Sequence, residues 1–497
     1  MKYLLGVDAG QTVTKTVLYD AEGHAYASAR ADTRVDCPYP RWQERNMLEA
    51  WRQTATAIAS CLRSAGVAGR DVAAVGICGH NDGVYPVDGN GRPVRPAILA
   101  TDSRAYEYVA AYRADGTADK ALPLTGQSPF AGSPAAVYAW LRDHEPAVLH
   151  TAEWLLFCKD WLRFRLTGVY ATDPTEASAS FTSVRDQAYS PEALALYDLD
   201  FVADKLPPIL RPDEIAGRVT PEAGEVTGLA PGTPVVTGAH DVDAAAVGMG
   251  AVTSGAVSII MGTFSINQIV AHDFRLDHRW QARSFLTPHS WLHMSTSPSS
   301  ASNLQWATRL LGPYVYGGSE SAGRPDFGAA VSAAIAVDPS DAPLFLPFLY
   351  GSPTLHGQVD GASFDGIRGW HRREHLLRAV LDGVAFNHRA HLDALRERFA
   401  LTGAARLGGG GSRSVAWSQL LADVIGLPVE VTDTDEAGAR GAAALAGIGL
   451  GWYASATEAA TATVRAVRRH DPVHNPELDE RYERYLDLVE RRSRYGG

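Results

Sequence analysis

The first nineteen residues set a pattern that the chain repeats. An apolar run, Tyr3-Leu4-Leu5-Gly6-Val7, ends in an acid, Asp8; the chain turns at Ala9-Gly10-Gln11 and returns through residues 12–19. Polar Thr12, Thr14 and Lys15 are interleaved there with strand-favouring Val13, Thr16 and Leu18. Asp20-Ala21-Glu22-Gly23 turns the chain again, and residues 25–30 form a third strand. Helical periodicity over 47–65 leads to a strand at 72–77, the polar loop Cys78-Gly79-His80-Asn81-Asp82-Gly83 and a strand at 84–87. Asp88-Gly89-Asn90-Gly91 predicts a hairpin with a return strand at 95–100, leading to Thr101-Asp102-Ser103-Arg104. Residues 134–148 and 153–166 read as helices, and a glycine-rich stretch at 216–233 precedes a strand at 234–237.

Past midchain the opening pattern returns. Strands at 257–261 and 265–270 flank the turn Gly262-Thr263. A long helix is expected at 379–398. The segment Leu407-Gly408-Gly409-Gly410-Gly411-Ser412-Arg413-Ser414 opens a helix at 415–425, where backbone can lie flat against a base or phosphate. It is not the dinucleotide fingerprint, because no compact βαβ unit with a ribose-binding acid follows. A strand at 429–432, a small-residue helix at 437–447 and a charged helix at 476–494 complete the chain; the last carries Tyr482, Tyr485 and Leu486 on one stripe. Two strand–glycine–strand hairpins predict two related halves closing on a shared nucleotide. Glycine at such a tip lets backbone N–H groups approach an anion, and hydroxyls and Lys15 supply further donors. A plain hairpin with a solvated edge accounts for the first tip equally well.

The chemistry concentrates at Gly238-Ala239-His240-Asp241-Val242-Asp243, an acid-bearing turn behind the 234–237 strand, followed by small residues at 244–248 that suit a closely packed helix. In a strand or turn Asp241 and Asp243 face opposite ways, so one of them enters the cleft. His80, Asn81, Asp82, Asp102 and Arg104 stand at neighbouring strand ends, as a hydroxyl-rich substrate site or as turn chemistry with a surface Asp102–Arg104 pair. The chain has 497 residues, which exceeds one ordinary core, and two domains are expected. A net charge of −11 argues against nucleic acid or an anionic membrane as partner, so any phosphate site is local. Cys37, Cys61, Cys78 and Cys158 lack paired spacing, which argues against a disulfide framework and a zinc site. No apolar run reaches the ~20 residues of a membrane span. The N-terminus reads as lacking a signal peptide, and the expected location is cytoplasmic.

These motifs resemble the FGGY carbohydrate kinases of the actin-like/hexokinase-like ATPase superfamily. Ala362-Ser363-Phe364-Asp365-Gly366-Ile367, followed by His375-Leu376-Leu377-Arg378-Ala379-Val380-Leu381-Asp382, is similar to the family's C-terminal signature. The resemblance implies an α/β chain of two RNase H-like ATPase domains, 1–246 and 247–497, with nucleotide and sugar in the cleft between them. It implies ATP and Mg²⁺, with transfer to a sugar or polyol hydroxyl, and a homodimer. It selects Asp241 over Asp243 as base, with His240 in a packing or supporting role, and gives Asp8 and Asp241 to the metal. Gly10, Thr12, Thr14, Lys15, Gly262 and Thr263 are then expected at the phosphates, and Gly410, Gly411 and Ser412 at adenosine. Asn81, Asp82, Asp102 and Asp241 are expected at the acceptor. Thr101 stands where the family carries tryptophan, so Phe130 is expected to cover the sugar. Gly351-Ser352-Pro353 and the His80–Gly83 loop resemble the L-xylulose kinase branch, which favours a pentulose over an erythritol-like polyol. A sugar sensor on the same fold and an actin-like filament are the competing readings from other classes.

Overall fold

The computed structural model describes residues 2–312, 326–351, 354–357, 359 and 361–495. The N-terminal half contributes β1 (Tyr3–Ala9), β2 (Val13–Tyr19), β3 (Ala25–Asp32), β4 (Val72–Gly79), β5 (Ile215–Arg218), β6 (Pro234–Val236) and β7 (Ala239–His240). The C-terminal half contributes β8 (Ala256–Met261), β9 (Ser265–Ala271), β10 (Gln281–Ser284), β11 (Trp291–Ser297), β12 (Thr402–Gly408), β13 (Val429–Thr432) and β14 (Ala466–His470). The first sheet runs β5-β6-β4-β1-β2-β3, with β7 continuing beside β4, and the second runs β10-β11-β9-β8-β12-β13-β14. Each is built on one plan. An antiparallel hairpin (β1–β2, β8–β9) takes a third antiparallel strand on its outer side (β3, β11). On its inner side it takes parallel partners (β4 and β6, β12 and β13). The two strand–glycine–strand patterns are thus the first hairpins of two similar sheets.

Helices α1 (Met47–Ala65), α2 (Cys158–Thr167), α3 (Asp241–Met249), α4 (Arg373–Arg396), α5 (Val415–Ile425), α6 (Ala437–Gly449) and α7 (Pro476–Tyr495) carry the parts that matter to the site. The division expected between residues 246 and 247 falls inside α3, which ends at left-handed Gly250. Helix α6 lies between β13 and β14 of the second sheet in the chain, yet it packs on β1 and β4 of the first and against α3. That approach needs glycine. A methyl group at Gly6 or Gly76 would overlap the carbonyl oxygen of Ala439 or Ala442, and one at Gly441 or Gly248 would overlap that of Ala244 or Ala437. The small residues of α3 and α6 therefore let two helices cross backbone to backbone between the sheets. A shared apolar core there joins Leu4, Ala74 and Val236 with Val242, Ala246, Ala439 and Ala443. Gly441→Ala is expected to cost about 1–3 kcal/mol through overpacking. Its urea midpoint should fall with the slope unchanged, and an unmoved midpoint would refute the contact.

Several local expectations are corrected. Residues 153–157 are not helical: Trp154–Leu156 pairs as a strand with Tyr85–Val87, since Leu155 and Leu156 are both buried. The 95–100 return strand shrinks to Ala97–Ile98, which pairs with Glu44–Arg45. Pro86, Pro93 and Pro96 lack the N–H groups that a longer ladder needs. The long helix starts at Arg373 and not at 379. Helix α7 packs on the second half, burying Leu478, Tyr482, Tyr485, Leu488 and Val489, while Leu486 is partly buried. All four cysteines are free. Among the described residues no helix is long and apolar enough to cross a membrane.

Candidate active site

Gly238 directs the chain into the site. Its φ of 81° is left-handed, and a methyl group there would overlap the carbonyl oxygen of Ile77 on β4. The chain then makes β7 and starts α3 with Asp241, so Asp241 and Asp243 belong to a first helical turn and not to a strand or turn. Two residues on a helix are about 200° apart, which again sends the side chains opposite ways. The Asp241 side chain is 30% exposed and that of Asp243 is buried. His240 lies between them, with Nε2 3.1 Å from Asp241 Oδ1 and Nδ1 3.1 Å from Asp243 Oδ2. Burial pulls the imidazole pKa down, but the hydrogen bonds to the two carboxylates outweigh it and hold the value at about 9. His240 is therefore a cation at neutral pH, tying down one oxygen of Asp241.

Beneath this turn lies a buried ionic cluster. Lys159 Nζ is 2.6 Å from Asp160 Oδ1 and 2.8 Å from Asp173 Oδ1, and Arg163 Nη1 is 3.4 Å from Asp160 Oδ1. Thr175 Oγ1 donates to Asp173 Oδ2 at 2.6 Å and accepts the His240 N–H at 2.8 Å, linking the cluster to the turn that aims Asp241. Neither carboxyl oxygen of buried Glu176 has a hydrogen-bond partner among the described residues. Burial, aided by Asp160, Asp173 and Asp241, pushes the Glu176 carboxyl well above its usual range, with Lys159 opposing. Glu176 is thus biased toward its protonated form, beside the pairs that Lys159 and Arg163 make with Asp160 and Asp173.

The residues expected at the phosphates lie on two hairpin tips. In the first, the Gly10 N–H donates to Val13 O at 3.1 Å, and Arg45 donates to Gln11 O behind it. Thr12 is exposed and Thr14 is buried. Lys15 does not stand free for phosphate: its Nζ is 2.6 Å from Glu436 Oε2, just before α6. Burial pushes the Asp8 carboxyl up to about 7, with Asp241 and Glu436 adding to the rise and Lys15 opposing it. A methyl group at Gly438 would come within 2.7 Å of Asp8 Oδ2, so glycine lets α6 begin against this acid. In the second tip, Thr263 O accepts the Ser300 N–H and the Ser302 hydroxyl, each at 2.9 Å.

Gly409, at φ 86°, abuts that second tip, where a methyl group would lie 2.7 Å from Met261 O. Gly410 and Gly411 then line a cavity of about 750 Å³ with Leu304, Phe327, Val331 and Trp417. Its apolar walls beside a glycine backbone suit a planar base. Ser412 is a correction to the expected lining. Its hydroxyl is buried and donates to Gly409 O at 2.7 Å, so it braces the loop, and Ser414 lines the cavity instead.

The acceptor loop follows β4. Asn81 Nδ2 donates to Thr175 O at 3.2 Å, and Asp82 adopts φ 61° with its backbone N–H on Asn81 Oδ1. Nη2 of Arg283, on β10 in the other half, lies 3.2 and 3.1 Å from Asp82 Oδ1 and Oδ2. His80 Nε2 is 3.0 Å from the Tyr85 hydroxyl; burial first, then Arg45, lower its pKa to about 3. Asp102 is withdrawn from the acceptor set. Its side chain is fully buried, bonded by Arg104 Nε and Nη2 at 3.0 and 2.8 Å and by the Gln43 N–H at 2.7 Å. The guanidinium of Arg104 is stacked 3.7 Å over Trp42, so this pair is internal scaffold and not a surface ion pair. Thr101 Oγ1 reaches Gln11 Oε1 at 2.9 Å, tying the acceptor side to the first hairpin tip. Phe130 is half-buried in the loop whose Gly132 abuts Ala100 O. Ser352 and Pro353 of the branch-like segment lie outside the described residues.

Residues 3–248 match the N-terminal domain, and residues 259–450 the C-terminal domain, of the FGGY family of carbohydrate kinases. The chain is 32% identical over 495 residues to an L-xylulose/3-keto-L-gulonate kinase of Escherichia coli, covering 98% of this chain and 97% of that protein. It is 31% identical to a xylulose kinase of the same organism over about nine-tenths of each. The crystal structure of xylulose kinase from Rhodospirillum rubrum superposes with a TM-score of 0.86 at 26% identity, covering 99% of this chain and 98% of that one. Two matched domains spanning nearly the whole chain settle its kinship: it belongs to the FGGY family of carbohydrate kinases.

Proposed function

We propose that this carbohydrate kinase transfers the γ-phosphate of ATP to a hydroxyl of a pentulose, with L-xylulose the leading candidate. The observation that carries the reading is Asp241, a partly exposed carboxylate at the start of α3, held through one oxygen by His240 and close enough to Asp8 on the first hairpin to raise its pKa. The relatives named for L-xylulose and xylulose supply the substrate class. Phosphoryl transfer needs an in-line hydroxyl, charge neutralisation and positioning. Asp241 takes the proton of the acceptor hydroxyl. His240 occupies Oδ1 and leaves Oδ2 toward the acceptor. Asn81 and Asp82 hold other hydroxyls, with Phe130 beside them. The tips at Gly10 and Gly262 bring the Thr12 and Thr263 hydroxyls to the phosphates, their own glycine N–H groups closing the turns on Val13 O and Phe264 O, and Gly410 and Gly411 take the base. Lys15 reaches phosphate only by leaving Glu436, and buried Thr14 supports the tip.

Asp8 and Asp241 fit a metal held largely through water. Asp8, lifted to about 7 by burial with Asp241 adding to the rise, forms with Asp241 the donor set a divalent cation relieves. Mg²⁺ bound with ATP neutralises phosphate charge. The sign of the pH effect follows from the raised value. Against an ordinary 3.8, folded Asp8 holds its proton more tightly than the unfolded chain does. Its contribution to stability is complete at low pH and is lost as pH rises through about 7. Thermal stability of the nucleotide-free protein is expected to fall across that window and to be recovered by millimolar Mg²⁺. Asp8→Asn should flatten both effects, and an Mg²⁺ response surviving in that variant would refute the assignment.

The functional test is coupled ADP release with Mg-ATP against pentuloses, pentitols, tetritols and glycerol. A ketopentose is expected to give the largest kcat/KM. Release with polyols alone would make this a polyol kinase, and ATP binding without release would make it a sensor.

A further inference from the structure

Arg283 was not legible as a site residue, and nothing in the proposed mechanism uses it. It sits on β10, far along the chain from the acceptor loop, yet its guanidinium is buried against that loop at 2% exposure. A built docking surface brings it there. The Ala282 N–H donates to Gly126 O at 2.8 Å, and a methyl group at Gly126 would overlap Ala282 O. Trp291 Nε1 donates to Val184 O at 2.7 Å, Gln187 Nε2 donates to Ser290 O at 2.9 Å and the His289 N–H donates to Gln187 Oε1 at 2.8 Å. The β10–β11 hairpin of the second half is thus seated on the first half, while its Leu292 and Met294 join the apolar core of the α3–α6 crossing. The acceptor side of the cleft is assembled from both halves.

The pairing geometry has a chemical consequence. Nη2 lies almost equally far from both oxygens of Asp82, at 3.1 and 3.2 Å, and Arg283 Nε donates to Gln127 Oε1 at 3.2 Å. Gln127 is itself anchored, donating through Nε2 to Ser178 O. An ionised carboxylate has about four lone-pair sites. One nitrogen straddling the carboxylate uses one site on each oxygen and leaves the others for hydroxyls. Asp82 stands in the left-handed region at φ 61°, where its short side chain has no regular element to lock it. Arg283 supplies that lock.

We propose that Arg283 is a positioning residue for acceptor selectivity: by fixing the Asp82 carboxylate plane it sets two acceptor oxygens at a defined spacing for a pair of neighbouring hydroxyls on the sugar. It rests on the pentulose-kinase reading, and it goes further by naming the group that discriminates hydroxyl configuration. Ketopentoses epimeric at C3 present those hydroxyls differently, so a fixed carboxylate distinguishes them and a mobile one does so poorly. Charge alone does not replace the device, because a lysine offers a point charge without the planar fork that also holds Gln127.

The experiment is steady-state kinetics of the full-length wild type, Arg283→Gln and Arg283→Lys with L-xylulose and with its C3 epimer L-ribulose, at saturating Mg-ATP and then with ATP varied. Wild-type turnover of either ketopentose tests the parent reading by itself, and absence of turnover refutes that reading. Given turnover, Arg283→Gln is expected to lower kcat/KM for the preferred epimer by about 30-fold or more, mostly through acceptor KM. The preference between epimers should shrink toward unity, with the KM for ATP unchanged. Arg283→Lys should fall between Gln and wild type in both readouts, which keeps the test open if the Gln variant does not fold. A wild-type epimer preference in either soluble variant would overturn the proposal. So would a loss that raises the KM values for acceptor and ATP together, since that is the mark of a general structural role.

Discussion

Asp241→Asn is expected to lower kcat for sugar phosphorylation by about 10²–10⁴-fold, the usual worth of a positioned proton acceptor. The substitution keeps shape and leaves the fold little changed, because the side chain is partly exposed at the first position of α3. It removes one of the two carboxylates that hold His240, so the imidazole pKa should drop from about 9 while Asp243 continues to grip Nδ1. ATP affinity measured by calorimetry without Mg²⁺ should stay within a few-fold of wild type, since the base cavity is lined by other residues. Asp243→Asn provides the contrast. That side chain is buried and reaches the site only through His240, so its loss should fall more on stability than on the chemical step. Turnover near wild type in Asp241→Asn, or an equal loss of kcat in both variants, would remove Asp241 from the role of base.

Lys159→Ala should be the most destabilising single change at the site. Its ammonium is fully buried between Asp160 and Asp173, and removing one partner of a buried ionic cluster costs about 3–5 kcal/mol because the remaining charges have no water. Here two carboxylates would face the single guanidinium of Arg163, with Glu176 close by. Glu176 adds a pH dependence of known sign. Its pKa is raised in the fold, so its stabilising proton is lost as pH rises through that folded value, and a further negative charge then enters the cluster. The urea midpoint of Lys159→Ala should fall steeply, whereas Lys2→Ala, at an exposed ammonium on Arg70 O, should leave it unmoved. Because Asp173 holds Thr175 and Thr175 holds the His240 N–H, the surviving folded fraction should also show reduced kcat. A midpoint equal to wild type would mean that the cluster does not support the fold.

What the sequence disclosed and what it withheld follow from the range of the forces involved. The hairpins at 3–19 and 257–270 were legible because alternation, glycine and turn residues act within a few positions, and both open equivalent sheets. Asp241 was legible as an acid at the end of a strand, but its membership of α3 was not, because Gly238-Ala239-His240 reads as a continuing loop. The small residues of α6 announced close packing without saying against what, and the answer is the opposite sheet. Asp102 with Arg104 looked like solvent-facing turn chemistry. Aromatic cover from Trp42 and Trp140, both distant in sequence, makes it an internal pair. Trp154-Leu155-Leu156 read as the start of a helix, and pairing with the remote Tyr85–Val87 makes it a strand instead. Arg283, Gln127 and Glu436 carried no local signal at all. Each gains its meaning from a partner in a remote segment, and no period or motif encodes such a pairing.

The most direct test of the central claim is the product itself. Purified protein with Mg-ATP and L-xylulose would be followed by mass spectrometry for sugar monophosphate and by a coupled assay for ADP. Pentulose monophosphate and ADP appearing one for one, at a rate that disappears without acceptor, is the predicted result. ADP forming without sugar phosphate, or neither forming while ATP is bound, would contradict the account.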